Sequence, residues 1–212
     1  MHVLTIAASK GGASKTTLAA ALAVEAAKTM RVGLVDRDPQ QSLARWYELR
    51  AAGSKSNLVL CEGRNIADAL AAAQKSKCEF VICDTPPAIM TTIKGAIEAA
   101  SFVLVACKPS PVDVESIDPV IEMARDAEKP FVFVITIAPT QGGKGLIDGV
   151  REYLSDGNTV LKTMMGNRLS YVAAMATGQS GPEIDKTAQT KEEMRDLWAE
   201  VSKLMGIRRG RP

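Results

Sequence analysis

The apolar residues of this chain fall into short, nearly unbroken runs that alternate with amphipathic stretches. The runs predict strands at residues 2–8, 31–36, 58–61, 80–84, 102–108 and 131–137, with a weaker one at 159–164. Helical periodicity between the runs predicts helices at residues 15–29, 40–52, 65–76, 89–100, 114–127 and 145–155. Continuous apolar runs are typical of parallel strands that are buried on both faces. The alternation therefore predicts an α/β fold, a doubly wound and mostly parallel sheet flanked by helices.

The last third of the chain is less regular and contains predicted helices at residues 168–177 and 189–205. The apolar residues of the final helix form a one-sided stripe of Met194, Leu197, Trp198, Val201, Leu204 and Met205. We expect this stripe to pack on the sheet, because a membrane-surface helix would need a strongly basic polar face. The prediction is one domain over residues 1–206, followed by a basic, flexible tail at 207–212.

Composition narrows the class of protein. The chain has 212 residues and a net charge of +2, so any contact with nucleic acid must come from a local patch. Its single histidine, His2, excludes a histidine-based triad or a multi-histidine metal site. None of the four cysteines forms a CxxC pair, and Cys83 and Cys107 lie within apolar runs that predict burial.

Targeting signals are absent from the sequence. The first strand starts at His2, without the basic start and cleavage site of a signal peptide. No apolar run reaches the roughly 18 residues of a membrane-spanning helix. We therefore expect a cytoplasmic protein.

The segment KGGASKTT, residues 10–17, follows the first strand and opens the first helix. This is the context of a phosphate-binding loop, in which backbone N–H groups and a helix N-terminus attract phosphate oxygens. Lys15 would neutralise the β- and γ-phosphates, and the Thr16 hydroxyl would ligate Mg²⁺. A Gly/Ser turn with incidental lysines is the alternative, since Ser9 and Ser14 replace the glycines of the general pattern G-x-x-x-x-G-K-S/T. The predicted nucleotide-binding residues of this segment are Lys10, Gly11, Gly12, Ala13, Ser14, Lys15, Thr16 and Thr17.

Two further segments place carboxylates at the carboxyl ends of strands, the edge where open α/β sheets bind ligands. VGLVDRDPQ contains Asp36 and Asp38, and the apolar run of FVICDTPPA ends at Asp84. Asp84 has the position of a Walker B carboxylate that holds Mg²⁺. Asp38 could orient a water molecule and accept its proton. Taken alone, the segment would fit Asp38 better as the cap of a helix that begins at Pro39, and the neighbouring phosphate loop is what favours the catalytic role.

Taken together, these segments resemble the ParA/MinD group of P-loop ATPases, which carry a deviant Walker A motif. KGGASKTT is similar to the group's KGGxGKT segment, DRDPQ to its DxDPQ segment, and DTPP to its switch segment. Ser14 departs from the commonest glycine. CKPSPVDVESID, residues 107–118, resembles the proline-rich loop that borders the nucleotide and the dimer partner in this group, which places Pro109 at the nucleotide. The resemblance extends from residue 2 to around residue 180.

The resemblance implies ATP and Mg²⁺ as cofactors and a role for individual residues. Lys10 occupies the position of the family's signature lysine, which reaches across a dimer interface to the partner's nucleotide. Spacing alone leaves open that Lys10 is a solvated lysine at the edge of a loop. The implied catalytic residues are Lys10, Lys15 and Asp38. The implied magnesium-ordering residues are Thr16, Asp36 and Asp84.

Within this group, the short ParA type fits best, because iron–sulfur carriers need paired cysteines and the bacterial tyrosine kinases carry a tyrosine-rich tail. This type implies an ATP-dependent homodimer that binds DNA nonspecifically near the nucleoid and positions plasmids or other cargo. A small DNA-binding adaptor or other partner protein would stimulate its hydrolysis. A MinD-like membrane-associated regulator and a metabolic phosphotransferase remain alternatives. Candidate DNA-binding residues are Lys144, Arg168, Lys186, Arg208 and Arg209.

Overall fold

The structure is a computed structural model that describes residues 1–52 and 57–207. Within them, the strands are β1 His2–Ala7, β2 Val32–Asp36, β3 Leu58–Leu60, β4 Phe80–Asp84, β5 Phe102–Cys107 and β6 Phe131–Ile135. The helices are α1 Lys15–Ala26, α2 Ser42–Ala51, α3 Ile66–Lys75, α4 Met90–Glu98, α5 Pro111–Glu115, α6 Asp118–Asp126, α7 Lys144–Leu154, α8 Leu169–Thr177, α9 Gly181–Ile184 and α10 Gln189–Leu204.

The six strands form one parallel sheet in the order β3-β2-β4-β1-β5-β6. From β1 the chain runs to β2 and then to β3 at one edge of the sheet, and it returns to place β4 between β2 and β1. It then adds β5 and β6 on the other side of β1. This confirms the predicted doubly wound fold. The register sets Ile6 beside Asp84, and Asp84 beside Asp36. The ends of three strands, and the loops that follow them, therefore meet at one edge of the sheet.

Helices cover both faces of the sheet, as the apolar runs predict. On one face, Leu4 and Ile6 of β1 pack with Leu18 and Leu22 of α1. α1 is rich in alanine, and its small side chains let the helix lie close to the strands. The opposite faces of β5 and β6 pack against α4, α6 and α7. Both clusters run up to the carboxyl edge, which gives the loops there a rigid support.

The predicted packing of the final helix is confirmed. Met194, Leu197 and Val201 of α10 are fully buried, and the Trp198 ring lies 5.1 Å from the ring of Phe80. The apolar stripe is therefore used within the fold, although Leu204 at its end is 46% exposed. None of the helices in the described parts of the chain has the length and apolar character needed to cross a membrane.

Two predicted elements differ in the structure. The helix expected at residues 114–127 is two helices, α5 and α6, and Pro119 lies in the first turn of the second, where proline is favoured. The strand expected at 159–164 contributes one isolated bridge, between Val160 and Phe133. Backbone hydrogen bonds join Thr159 and Leu161 to Phe133 of β6, and side chains satisfy several of the remaining backbone groups. Arg151 donates to the carbonyls of Leu161 and Lys162, and Glu200 accepts from the N–H groups of Lys162 and Thr163.

Gly178, which follows α8, allows this helix to pack closely against α2. It has a φ of 68°, and a Cβ at this position would lie 2.3 Å from the backbone nitrogen of Arg50. Gly157 has a similar φ of 69°, but a Cβ there would meet no heavy atom within 4 Å. The two glycines therefore separate the cost of a left-handed backbone from the cost of a steric clash.

We predict that Gly178→Ala lowers the free energy of unfolding well below the value for Gly157→Ala. Both variants lose roughly 1 kcal/mol or more to the left-handed conformation. Gly178→Ala loses about 1–3 kcal/mol in addition, because the methyl group overpacks the contact with α2. Urea unfolding monitored by circular dichroism measures both losses. Equal losses for the two variants would contradict the packing argument.

Candidate nucleotide-binding site

The predicted phosphate loop joins β1 to α1 at the carboxyl edge of the sheet. The backbones of Gly11 and Gly12 are exposed, and Gly12 is in the left-handed region with a φ of 75°. Ala13 is buried, and its carbonyl accepts a hydrogen bond of 3.0 Å from the Thr136 hydroxyl. Thr136 follows β6 and is fully buried, so this hydrogen bond attaches the phosphate loop to the end of β6. No sequence motif marks this support, because Thr136 lies far from the loop along the chain.

Ser14 adopts a conformation that glycine takes more easily. Its φ of 53° and ψ of 30° lie in the left-handed region, and its side chain forms no capping hydrogen bond with α1. The departure from the commonest family glycine therefore falls at a position where the backbone favours glycine. The loop adopts this conformation with serine at the position, and the Ser14 carbonyl accepts a hydrogen bond of 2.9 Å from the N–H of Leu18.

Lys15 begins α1 and is only 6% exposed. Burial lowers the pKa of its ammonium group, although the charges of Asp84 and Asp38 act in the opposite direction. A buried ammonium group is stabilised by any anion that comes into contact with it. A phosphate in contact with Lys15 would therefore stabilise its charged form. Thr17, which is also a predicted nucleotide-binding residue, is half-buried within α1.

Asp84 ends β4 and is fully buried. The Thr16 hydroxyl donates a hydrogen bond of 2.6 Å to its Oδ2. Its Oδ1 is buried and has no hydrogen-bond partner among the described residues. Burial raises the pKa of this carboxyl group to about 7, mainly because the charged form loses its hydration. A hydroxyl and an orphaned carboxylate oxygen form a donor set that suits a hard cation such as Mg²⁺.

Asp36, at the end of β2, caps the next helix. Its Oδ2 accepts hydrogen bonds from the N–H groups of Leu43 and Ala44, each at 3.0 Å, and its Oδ1 accepts from Asp38 N–H at 2.9 Å. Burial raises the pKa of Asp36 even though these hydrogen bonds lower it. Both carboxylate oxygens of Asp36 already accept hydrogen bonds from backbone N–H groups. The magnesium-ordering role of Asp36 stays a prediction.

The structure corrects the expectation that a helix begins at Pro39. α2 begins at Ser42, and Asp36, rather than Asp38, provides the cap. Asp38 accepts the N–H of Gln40 at 2.9 Å within the preceding turn. Burial lowers the pKa of Lys15, and the negative charge of Asp38 partly offsets this lowering, so the two side chains interact electrostatically. Asp38 therefore lies near the phosphate loop and is left free of the capping role.

The segment between β5 and α6 packs beside the phosphate loop. Lys10 Nζ donates to the carbonyl of Val112 at 2.9 Å within the same chain. The hydroxyls of Ser9 and Ser116 lie 2.8 Å apart. Pro109 is buried between β5 and α5, next to these contacts in the chain. The proline-rich segment therefore contacts the phosphate loop, and the nucleotide-binding role of Pro109 stays a prediction.

The candidate DNA-binding residues have different surroundings. Lys144 and Lys186 are exposed, at the start of α7 and between α9 and α10. Arg168 forms an ion pair of 2.6 Å with Glu193 and donates to Gln189, and hydrogen bonding with Glu193 raises its pKa. Its guanidinium group is therefore engaged within the protein. Arg208 and Arg209 lie outside the described residues.

A family model and a known protein both match large parts of this chain. The model of the CobQ/CobB/MinD/ParA nucleotide binding domain matches residues 4–180. Maintenance of carboxysome distribution protein A of Halothiobacillus neapolitanus is 32% identical over 130 residues. That match spans only 59% of this chain and 59% of that protein.

Solved structures share the fold at low sequence identity. A plasmid partition protein of Borrelia burgdorferi bound to AMPPNP has a TM-score of 0.72 and 21% identity, covering 95% of this chain and 99% of that one. A McdA variant from Cyanothece in complex with ATP has a TM-score of 0.77 and 18% identity, covering 100% and 99%. The family match extends over most of the chain and includes the phosphate loop and the three aspartates. The chain therefore belongs to the CobQ/CobB/MinD/ParA nucleotide binding domain family.

Proposed function

We propose that this protein is a ParA-type ATPase that binds ATP with Mg²⁺, forms a homodimer around the nucleotides and positions a cargo on DNA. One observation carries the proposal. Lys10 and Lys15 flank the exposed Gly11–Gly12 backbone along the chain. The Thr16 hydroxyl of the same loop donates to Asp84, and the charges of Asp84 and Asp38 act on Lys15. Related folds that bind AMPPNP and ATP support the choice of nucleotide.

Nucleotide binding follows from the electrostatics of the loop. The exposed glycine backbone and the start of α1 present N–H groups to phosphate oxygens. Lys15 supplies a buried positive charge. This charge attracts a phosphate more strongly than a solvated one would, because water screens it less. A triphosphate bound here would provide the anion that the buried ammonium group favours.

Magnesium would be held by Thr16 and Asp84. The unpartnered Oδ1 of Asp84 and the neighbouring Thr16 hydroxyl are both oxygen ligands of the kind that Mg²⁺ prefers. The bound ion would supply positive charge to offset that of the phosphates. The bound cation would also lower the pKa of Asp84, because it favours the ionised carboxylate that burial opposes.

Hydrolysis would use Asp38 and Lys10. Asp38 is a half-buried carboxylate near Lys15, where it could orient a water molecule and accept its proton. Lys10 would exchange the carbonyl of Val112 for the phosphates of the partner subunit's nucleotide. Its charge would then offset the negative charge that develops on those phosphates, as an arginine finger does.

The surface around the site supports dimerisation. Ile89, Met90 and Val112 follow β4 and β5 at the carboxyl edge and are 40%, 37% and 61% exposed. Exposed apolar residues at the rim of a polar site are typical of a protein interface. A second subunit that packs on this edge would cover them and would bring its own Lys10 towards the nucleotide.

Binding of DNA would depend on cations that gather when two subunits combine, since a single chain carries a net charge of only +2. Lys144 and Lys186 are the exposed candidates within the described residues. The cargo could resemble that of the carboxysome distribution proteins, with a small partner protein that stimulates hydrolysis at the nucleoid. The MinD-like alternative is weakened, because Met194, Leu197, Trp198 and Val201 of the α10 stripe are buried, while the basic tail at 208–212 lies outside the described residues.

The central test measures DNA binding in the presence of ATP, ADP or no nucleotide. We expect ATP with Mg²⁺ to produce a dimer that binds nonspecific duplex DNA, and this binding should weaken steeply as the salt concentration rises. Sedimentation and fluorescence anisotropy report the dimer and the DNA complex. Lys15→Ala serves as the control, because loss of the buried charge should abolish nucleotide binding. DNA binding that does not respond to nucleotide would count against the proposal.

Lys10→Ala tests the role across the interface. We expect this variant to bind ATP with near wild-type affinity but to lose dimerisation and turnover, because Lys10 would act on the partner's nucleotide. Calorimetry measures binding, and phosphate release measures turnover. A Lys10→Ala protein that still dimerises with ATP would exclude this role.

Asp84→Asn should change the pH dependence of stability in the nucleotide-free protein. Since burial raises the pKa of Asp84 to about 7, the folded state keeps a proton that the unfolded state releases at lower pH. The wild type therefore loses stability relative to Asp84→Asn as the pH rises towards 7, by up to about 1.4 kcal/mol for each pH unit. Urea unfolding between pH 5 and 8 measures the difference. Parallel curves for the two proteins would contradict the raised pKa.

A further inference from the structure

Lys108 adds a third lysine to the phosphate loop. It directly follows β5, and a Cβ placed on Gly12 would lie 3.9 Å from its Nζ. Gly12 belongs to the exposed, left-handed part of the loop, whose backbone is expected to face the phosphates. The ammonium group of Lys108 is therefore beside the loop itself, rather than merely near the same edge of the sheet.

A carboxylate of α5 holds Lys108 in this position. Lys108 Nζ lies 3.4 Å from Asp113 Oδ1, and their side chains are 31% and 13% exposed. Asp113 is fixed in turn, because its carbonyl accepts the Ser116 hydroxyl at 2.8 Å and Ser116 contacts Ser9 of the loop. The ion pair thus sits on a segment that is attached to the phosphate loop at several points.

Asp113 and a bound phosphate would compete for the same ammonium group. Lysine is a flexible point charge that can turn from one oxygen to another without a change in the backbone. A phosphate carries more negative charge than a carboxylate, and the loop's N–H groups would place it within reach of Lys108.

We propose that Lys108 contacts a phosphate of the bound nucleotide in its own subunit, and that Asp113 competes with the nucleotide for it. This inference rests on the proposed function, since it assumes that the loop binds ATP. It assigns opposite effects to the two members of one ion pair. Loss of Lys108 removes an attraction for the phosphates, whereas loss of Asp113 removes a competitor.

The test compares the affinities of Lys108→Met, Lys108→Arg and Asp113→Asn for ATP with Mg²⁺, measured by calorimetry at low salt. We expect Lys108→Met to raise the Kd by about tenfold or more, as is typical for the loss of a hydrogen bond to a charged group. Lys108→Arg keeps the charge and should restore most of the affinity. Asp113→Asn should lower the Kd. Lys94→Met, which breaks an exposed pair with Glu98 on α4, should leave the Kd unchanged.

Two results would overturn the inference while leaving the proposed function intact. One is a wild-type Kd for Lys108→Met. The other is an equal rise in Kd for Lys108→Met and Asp113→Asn, which would show that the ion pair only supports the local structure. A wild-type protein that fails to bind ATP would instead overturn the proposed function, and the inference with it.

Discussion

The nucleotide edge of this protein depends on one hydrogen bond, which the Thr16 hydroxyl donates to the buried carboxylate of Asp84 at 2.6 Å. It joins the first turn of α1 to the end of β4, and so fixes the phosphate loop relative to the centre of the sheet. A buried carboxylate is costly unless its oxygens have partners. Since Oδ1 of Asp84 has none among the described residues, the site favours a cation at this point.

The two neighbouring charges of the site are perturbed in opposite directions for one reason. Burial lowers the pKa of Lys15 and raises the pKa of Asp84, so each group is driven towards its neutral form. A magnesium nucleotide would bring an anion to the first group and a cation to the second. Such perturbed groups cost stability, and they are concentrated where proteins bind or react.

The segment from Lys108 to Ser116 connects this site to the outer surface. Lys10 and Ser9 at the phosphate loop contact this segment, and the Lys108 ammonium group of the segment lies beside Gly12 of the loop. Val112, whose carbonyl accepts from Lys10, has a side chain that is 61% exposed. A ligand that attracts either lysine would therefore also act on α5, which lies at the rim proposed for dimerisation.

The sequence by itself determined the α/β alternation, the parallel sheet and the place of the phosphate loop, because these depend on local periodicity and on a contiguous motif. It also placed Asp36, Asp38 and Asp84 at one edge, since Asp36 and Asp84 end strands and Asp38 follows one. Tertiary structure alone decided which aspartate caps α2, why residues 159–164 form no regular strand, and how Thr136 and Lys108 reach the loop. These outcomes depend on side chains that meet across distant parts of the chain, where spacing along the sequence carries no information about contact.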